Sequence, residues 1–273
     1  MARCAGSSGM NDPCPESFIA LAGVLADAAR AVTLDYFRAD LQIDYKSDAS
    51  PVTRADRETE ALLRTLIADA FPEHGVIGEE EGAERPGASH VWVVDPIDGT
   101  KKFITGNPMF GTLIALTREG RPVLGLIDFP ALDERWEGAS GRGAFHVKGG
   151  RKSPIACRPC PDIAGAVLYT TSPEMFQGVD ADAFDRLAGA VNFPLYGGEC
   201  YAYGLLASGY ADLVVEADME IYDYLAHVAI VSEAGGVITD WDGQPLGLAS
   251  GPKVIAAGDP VCHRRALALL GGS

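Results

Sequence analysis

The segment WVVDPIDGTKKF, Trp92 to Phe103, sets two carboxylates at the end of an apolar run. Val91, Trp92, Val93 and Val94 read as a short buried strand, and Pro96 and Gly99 bend the chain just after it. Asp95 and Asp98 therefore stand three residues apart at a strand end. Pro96 lowers the entropy of the turn, Gly99 allows close approach of a ligand, and Thr100 adds a hydroxyl. Like charges held this close repel. A hard divalent cation removes the repulsion, and an oxygen-only donor set favours Mg²⁺ over zinc. Asp, Pro and Gly are equally the ordinary residues of a plain surface turn, and this segment alone leaves both readings open.

Working outward, Val76-Ile77-Gly78 is a second short apolar run and ends on Glu79-Glu80-Glu81. Three adjacent acids are usually a solvated loop, yet these follow a strand just as Asp95 does, so two strand ends can bring carboxylates to one place. Downstream, Met109–Thr117 and Val123–Phe129 are β-rich and separated by a hairpin signal. Arg135–Gly138 and Gly143–Val147, with a turn at Lys148–Arg151, continue an antiparallel meander. Upstream, Glu16–Arg38 carries apolar residues at helical spacing. A second amphipathic helix opens at Thr53 after a polar turn from Tyr45 to Pro51. Thr53 and Asp56 have capping-box spacing, and spacing alone favours that role for Asp56 over membership of an acidic site.

Residues 1–14 read as a loose tail, with Met10 an alternative start; 15–158 as an α+β half of two helices on an antiparallel sheet; and 159–273 as a mixed α/β half. The latter alternates strand Ala166–Thr170, helix Ala181–Val191, helix Cys200–Ser208, strand Asp212–Glu216, helix Tyr222–Glu233, strands Val237–Asp240 and Val254–Ala257, and a closing helix. Asp223 falls in the first turn of one of these helices, where the dipole favours an acid and where it could also ligate a metal.

Over 273 residues the chain is 47% hydrophobic and 22% charged, with a net charge of −16, which argues against nucleic acid or an anionic membrane as main partner. No run reads as a membrane span, the N-terminus lacks signal-peptide features, and a cytoplasmic location is expected. Six thinly spread cysteines suit a reducing compartment. Cys157 and Cys160 have knuckle spacing but no second half to complete a metal site. No phosphate loop, dinucleotide fingerprint or nucleophile elbow is present.

Taken together, Glu79-Glu80 after Ile77-Gly78, Trp92 to Thr100, and Tyr222-Asp223 before Ala234-Gly235-Gly236-Val237 resemble the inositol monophosphatase superfamily of Mg²⁺-dependent, lithium-sensitive phosphomonoesterases. The resemblance implies a layered αβαβα fold, a homodimer, and two or three Mg²⁺ ions per site acting on a small phosphorylated substrate. It implies that Glu79, Asp95 and the Ile97 carbonyl hold one ion and Asp95, Asp98 and Asp223 another. Thr100 with Glu79 would orient water, and main-chain groups at Gly99 and Thr100 would touch phosphate. Asp56 would then support the metals by hydrogen bonding, against the capping-only reading, and Lys46 would lie near the site.

Asp98 to Leu116 and Tyr222-Asp223-Tyr224-Leu225-Ala226 look most like the histidinol-phosphate phosphatase branch, which serves histidine biosynthesis. Glu199 stands where that pattern often has Asp. Histidinol phosphate carries an ammonium and an imidazole, so acids and flat rings suit its non-phosphate end, and Glu199, Tyr201, Tyr203 and Glu216 lie in the expected segments. The alternatives are an inositol or broad sugar phosphatase, a bisphosphate nucleotidase, and a non-catalytic binding module. The last is disfavoured by the intact acid set.

Overall fold

The computed structural model describes residues 12–39, 43–45 and 51–271. Helical spacing of apolar residues forms α1 (Glu16–Tyr36), with a buried stripe of Leu21, Ala22, Leu25, Ala26, Ala29 and Thr33. β1 (Ile43–Tyr45) and β2 (Pro51–Thr53) pair antiparallel and lead into α2 (Arg54–Ala70), which Thr53 caps. α1 packs on α2, and both lie against an eight-stranded sheet.

That sheet contains β3 (Gly75–Gly78), β4 (Gly82–Glu84) and β5 (His90–Asp98). After the short α3 (Thr100–Ile104) it continues with β6 (Gly111–Arg118), β7 (Arg121–Phe129), β8 (Glu134–Ala139), β9 (Gly143–Lys148) and β10 (Arg151–Pro154). Its order is β10-β9-β8-β7-β6-β5-β3-β4. The expected antiparallel pattern needs one correction, because β3 and β5 run parallel. β4, three exposed residues with no alternation, gave no sequence signal.

A second sheet follows from β11 (Val167–Thr170), α4 (Val179–Ala188), β12 (Phe193–Tyr196), α5 (Glu199–Ala207), β13 (Leu213–Glu216), α6 (Ile221–Glu233), β14 (Val237–Thr239), β15 (Val254–Ala257) and α7 (Pro260–Gly271). Its order is β12-β11-β13-β15-β14, with β11 parallel to both neighbours and β15 antiparallel to both of its own. α5 and α6 fill the layer between the sheets, and α4 and α7 pair on the second sheet. The result is the αβαβα layering, with apolar clusters between α1/α2 and the first sheet, around α5 and α6, and beneath α4 and α7.

α6 lies directly on the first sheet because two strand positions lack side chains. A Cβ on Gly125 would stand 1.8 Å from the Ala226 carbonyl oxygen, and one on Gly138 would stand 2.6 Å from the Ile230 Cα. Two sequence expectations change here. α1 is, by length and composition, apolar enough to cross a membrane; in the fold its buried stripe meets α2, β6 and β7, and Arg30 within it is bound to Asp128 and Asp133. Cys14, assigned to the loose tail, is buried, with its N–H on the Ser140 carbonyl at 2.8 Å.

Candidate active site

The parallel register of β3 and β5 pairs Gly78 with Val94, so the next residues, Glu79 and Asp95, emerge side by side from the same end of the sheet. This is the convergence of strand ends expected from sequence. Asp98 joins them through a bulge. Asp95 faces Leu113 and Asp98 faces Gly111, so β5 gains one residue over β6. Residues three apart on a regular strand point to opposite faces, and the extra residue restores Asp95 and Asp98 to one side. The Thr112 hydroxyl holds the bulge by donating to the Pro96 carbonyl at 2.8 Å. Gly99 then turns the chain with φ of 81°, a left-handed value that suits glycine, and opens α3.

Four aspartates meet the site in the same manner, each with one oxygen fixed by a backbone N–H. Asp56 accepts from Thr53 N at 2.8 Å and also from its hydroxyl at 2.6 Å. Asp95 accepts from Ile97 N at 2.9 Å, Asp98 from Cys200 N at 3.1 Å and Asp223 from Glu220 N at 2.8 Å. The other oxygen of Asp56 is buried with no partner. Asp56 thus both closes the capping box with Thr53 and lies beside Glu79 of the acid cluster, so the two roles coexist. The sequence separation of Asp98 from Cys200 shows that the second half of the chain closes on the first through this clamp.

These acids hold protons more tightly than free carboxyls. Burial pushes Asp95 well up, and Glu79, Asp98 and Asp223 push it further. Burial raises Asp98 against the hydrogen bonds from Cys200, with Glu79 adding to the rise. Asp223 is raised by burial, opposed by the Glu220 N–H, with Asp98 and Glu79 adding. Asp56 is raised chiefly by burial too, with Thr53 opposing and Glu79 adding. Among the described residues no three His, Cys, Asp or Glu side chains are already gathered into a closed ligand cage. The donor set nonetheless fits a hard divalent cation: all donors are oxygens, their charges repel, and a buried Asp56 oxygen is orphaned.

Thr100 is partly exposed, and its hydroxyl donates to the Ile97 carbonyl at 3.1 Å. Lys102 reaches from α3 to the Gly197 carbonyl and the Glu199 carboxylate. Its only signal was position, two residues beyond Thr100. Glu199, at a φ of 41°, is therefore already ion-paired, with burial raising its carboxyl and Lys102 opposing. Tyr201 donates to Glu134 at 2.7 Å and sits edge-on to Phe129 and Trp136, so its hydroxyl is spent on the first sheet. Tyr203 is buried and stacked on His227 with centroids 3.9 Å apart.

Glu216 differs from Glu199. It is 1% exposed and accepts from the Thr170 hydroxyl at 3.1 Å and from the Thr171 N–H and hydroxyl at 3.0 Å each. Burial nevertheless outweighs these bonds and pushes it up to about 8. No salt bridge to it is found among the described residues. Lys46 lies outside the described residues.

With this geometry in hand, the comparison with known proteins is decisive: residues 15–271 match the pattern of the inositol monophosphatase family. The chain belongs to that family. It is a phosphatase, a hydrolase acting on small phosphorylated substrates. It is 45% identical over 269 residues to the bifunctional phosphatase IMPL2 of Arabidopsis thaliana, covering 95% of this chain and 77% of the relative. It is 39% identical over 226 residues to a histidinol-phosphatase of Chlorobaculum parvum, covering 82% of this chain and 86% of the relative. Among solved structures, an inositol monophosphatase from Zymomonas mobilis superposes with a TM-score of 0.85 at 44% identity, covering 94% of this chain and 98% of that one.

Proposed function

We propose that this phosphatase is Mg²⁺-dependent and prefers L-histidinol phosphate, which it hydrolyses to L-histidinol and phosphate. The observation that carries the metal-dependent reading is the shared half-commitment of Asp56, Asp95, Asp98 and Asp223, each fixed by one oxygen amid mutual repulsion. Glu79, Asp95 and the Ile97 carbonyl would hold one ion, and Asp95, Asp98 and Asp223 a second. Such ions supply hydroxide at neutral pH and neutralise charge on the transferring phosphoryl group.

The chain's own groups do the positioning. The Thr100 hydroxyl donates its hydrogen bond to the Ile97 carbonyl, so its lone pairs are left to accept from the attacking water, which Glu79 would orient from the other side. Gly99 offers its carbonyl to the N–H groups of Lys102 and Phe103. The N–H groups of Gly99 and Thr100 precede that ladder and suit phosphate oxygens. Asp56 supports the acid cluster through its orphaned oxygen.

For the substrate's other end, Glu216 is the acid with no salt bridge among the described residues, and an ammonium is the partner that suits it. Relatives named histidinol-phosphatase at 39% and 38% identity support this choice. A second reading, an inositol or sugar phosphatase, is favoured by Lys102, which neutralises the other candidate acid, Glu199. Phosphate release from L-histidinol phosphate, inositol 1-phosphate and adenosine 3′,5′-bisphosphate, each with and without Mg²⁺, tests the proposal. The highest kcat/KM is expected for L-histidinol phosphate. Equal rates would reduce it to a general phosphomonoesterase, and release indifferent to Mg²⁺ would sink the metal reading.

A further inference from the structure

Beneath the Glu79-Glu80-Glu81 turn lies a buried carboxylate that the site described above does not use. Glu60, one helical turn after Asp56 on α2, is fully buried, so the two acids share a face. Its Oε2 accepts the Glu80 N–H at 2.8 Å and its Oε1 the Glu81 N–H at 3.0 Å. Arg64, only 12% exposed and one more turn along, binds Oε1 through Nε at 2.8 Å and Nη2 at 2.7 Å. The same guanidinium donates to the Gly82 carbonyl at 2.5 Å. The turn is thus gripped at three consecutive residues after Glu79.

It is gripped before Glu79 as well. A Cβ on Gly78 would stand 2.2 Å from Glu60 Oε1, so the carboxylate fills the volume that a missing side chain leaves. Glu79 has Glu60 against the residue before it and hydrogen-bonded to the residue after it. A buried carboxylate is a costly way to fill space, and an apolar side chain would pack there without desolvating a charge. What only a carboxylate can do is accept two successive N–H groups while pairing with an arginine.

The geometry points to Glu60, with Arg64 behind it, as the positioning residue that fixes Glu79 against Asp95 for cation binding. This rests on the metal-site reading of the same carboxylates. Glu60 touches neither substrate nor metal; it acts through the main chain of the turn. α2 then serves the site twice, with Asp56 facing the acid cluster and Glu60 holding the loop that delivers Glu79.

The test is Mn²⁺ binding to the full chain, followed by the loss of the free-ion paramagnetic resonance signal, with thermal unfolding of each variant measured alongside. Glu60→Gln keeps the volume but cannot serve both N–H groups and Arg64, and it is expected to bind Mn²⁺ about ten- to a hundredfold more weakly. In assays its Mg²⁺ requirement should rise more than its kcat falls at saturating Mg²⁺. Asp212→Asn is the control. Asp212 is equally buried and bonded to Arg158 at 2.5 Å, so this variant should lose thermal stability yet bind Mn²⁺ as the parent does.

Should Glu60→Gln not fold, Gly78→Ala changes no charge but forces Glu60 away, and weaker Mn²⁺ binding is expected there too. Parent-like Mn²⁺ affinity in a folded Glu60→Gln or Gly78→Ala protein would overturn the positioning role. So would an equal loss of affinity in Asp212→Asn. A parent protein that binds no Mn²⁺ would overturn the metal-site reading itself, a result distinguishable from the other two.

Discussion

Two sets of buried acids in this molecule are treated in opposite ways. Asp128 is fully buried and receives Arg30 at 3.1 and 2.8 Å and Arg135 at 2.7 Å. Burial pushes Asp212 up, but Arg158 and the Val167 N–H outweigh it and hold it below the usual carboxylate range. Asp95, Asp98 and Asp223 receive one backbone N–H each and lie beside Glu79 and one another, with Lys102 easing Asp98 alone, and all three are raised. The fold neutralises the acids it needs for its own cohesion and leaves unneutralised those meant for something that arrives from outside. Removing a charge should therefore have opposite consequences in the two sets.

Asp95→Asn gives the largest effect. It should cut metal-dependent phosphatase activity by a factor on the order of 10³ while leaving the metal-free melting temperature unchanged or higher, since repulsion is relieved. Asp128→Asn leaves two guanidinium groups facing a neutral amide, and should cost about 3–5 kcal/mol of stability with activity per folded molecule nearly intact. Unfolding curves and initial rates on both proteins check the pair. If Asp95→Asn melts as early as Asp128→Asn, the division between the sets is wrong.

A pH experiment sharpens the same contrast. Asp95 and Asp223 titrate higher in the folded chain than their ordinary 3.8, so the folded state holds more protons than the unfolded one above that pH. Their contribution to the stability of the metal-free protein must then fall as pH rises from about 4 upward. His74 and His90, both lowered mainly by burial, and His227, pushed down to about 3 by burial, act in the other direction. Each is neutral in the fold and erodes stability as pH drops below about 6.5. The histidine contribution is common to metal-free and Mg²⁺-loaded protein and cancels in their difference. At a fixed Mg²⁺ concentration the Mg²⁺-induced rise in melting temperature should therefore grow from pH 5 to pH 8, the stabilisation behind it reaching about 2.7 kcal/mol where that concentration is a hundred times Kd. A rise independent of pH would separate the raised carboxyls from the cation site.

The legible parts of this molecule are those whose signal is local. The apolar run before Asp95 reads directly as a strand, and α1, α2, α6 and the β6–β7 hairpin follow from periodicity and turn residues. The parallel pairing of β3 with β5 does not, because nothing within Gly75–Gly78 encodes which strand lies beside it. β1, β2, β4 and β12 are three or four residues long and are specified by their neighbours rather than by alternation. At the site, the acids stood out, but their clamps did not: Cys200 N–H on Asp98 and Lys102 on Glu199 join residues about a hundred positions apart. Glu60 had a near-local signal, an acid four residues after Asp56, which the capping-box pattern stops short of.

Glu216 belongs to neither set by sequence, and its surroundings decide where it falls. Like the structural acids it is hydrogen-bonded several times, by Thr170 and Thr171; like Asp95 and Asp223 it has no salt bridge among the described residues, and burial pushes it up to about 8. Glu199 has the reverse character, its side chain 14% exposed and already paired with Lys102. If uncompensated acids await an external cation, Glu216 rather than Glu199 reads the substrate ammonium. Glu216→Gln should then lower kcat/KM for L-histidinol phosphate about tenfold, the worth of one charge-assisted hydrogen bond, and leave inositol 1-phosphate within about twofold. Because the carboxyl titrates at about 8 folded and 4.5 unfolded, the parent loses stability relative to this variant as pH rises from 4.5 to 8. A variant that gains this relative stability but keeps full efficiency on L-histidinol phosphate would make Glu216 a costly buried strand end and return the ammonium to Glu199, after displacement of Lys102.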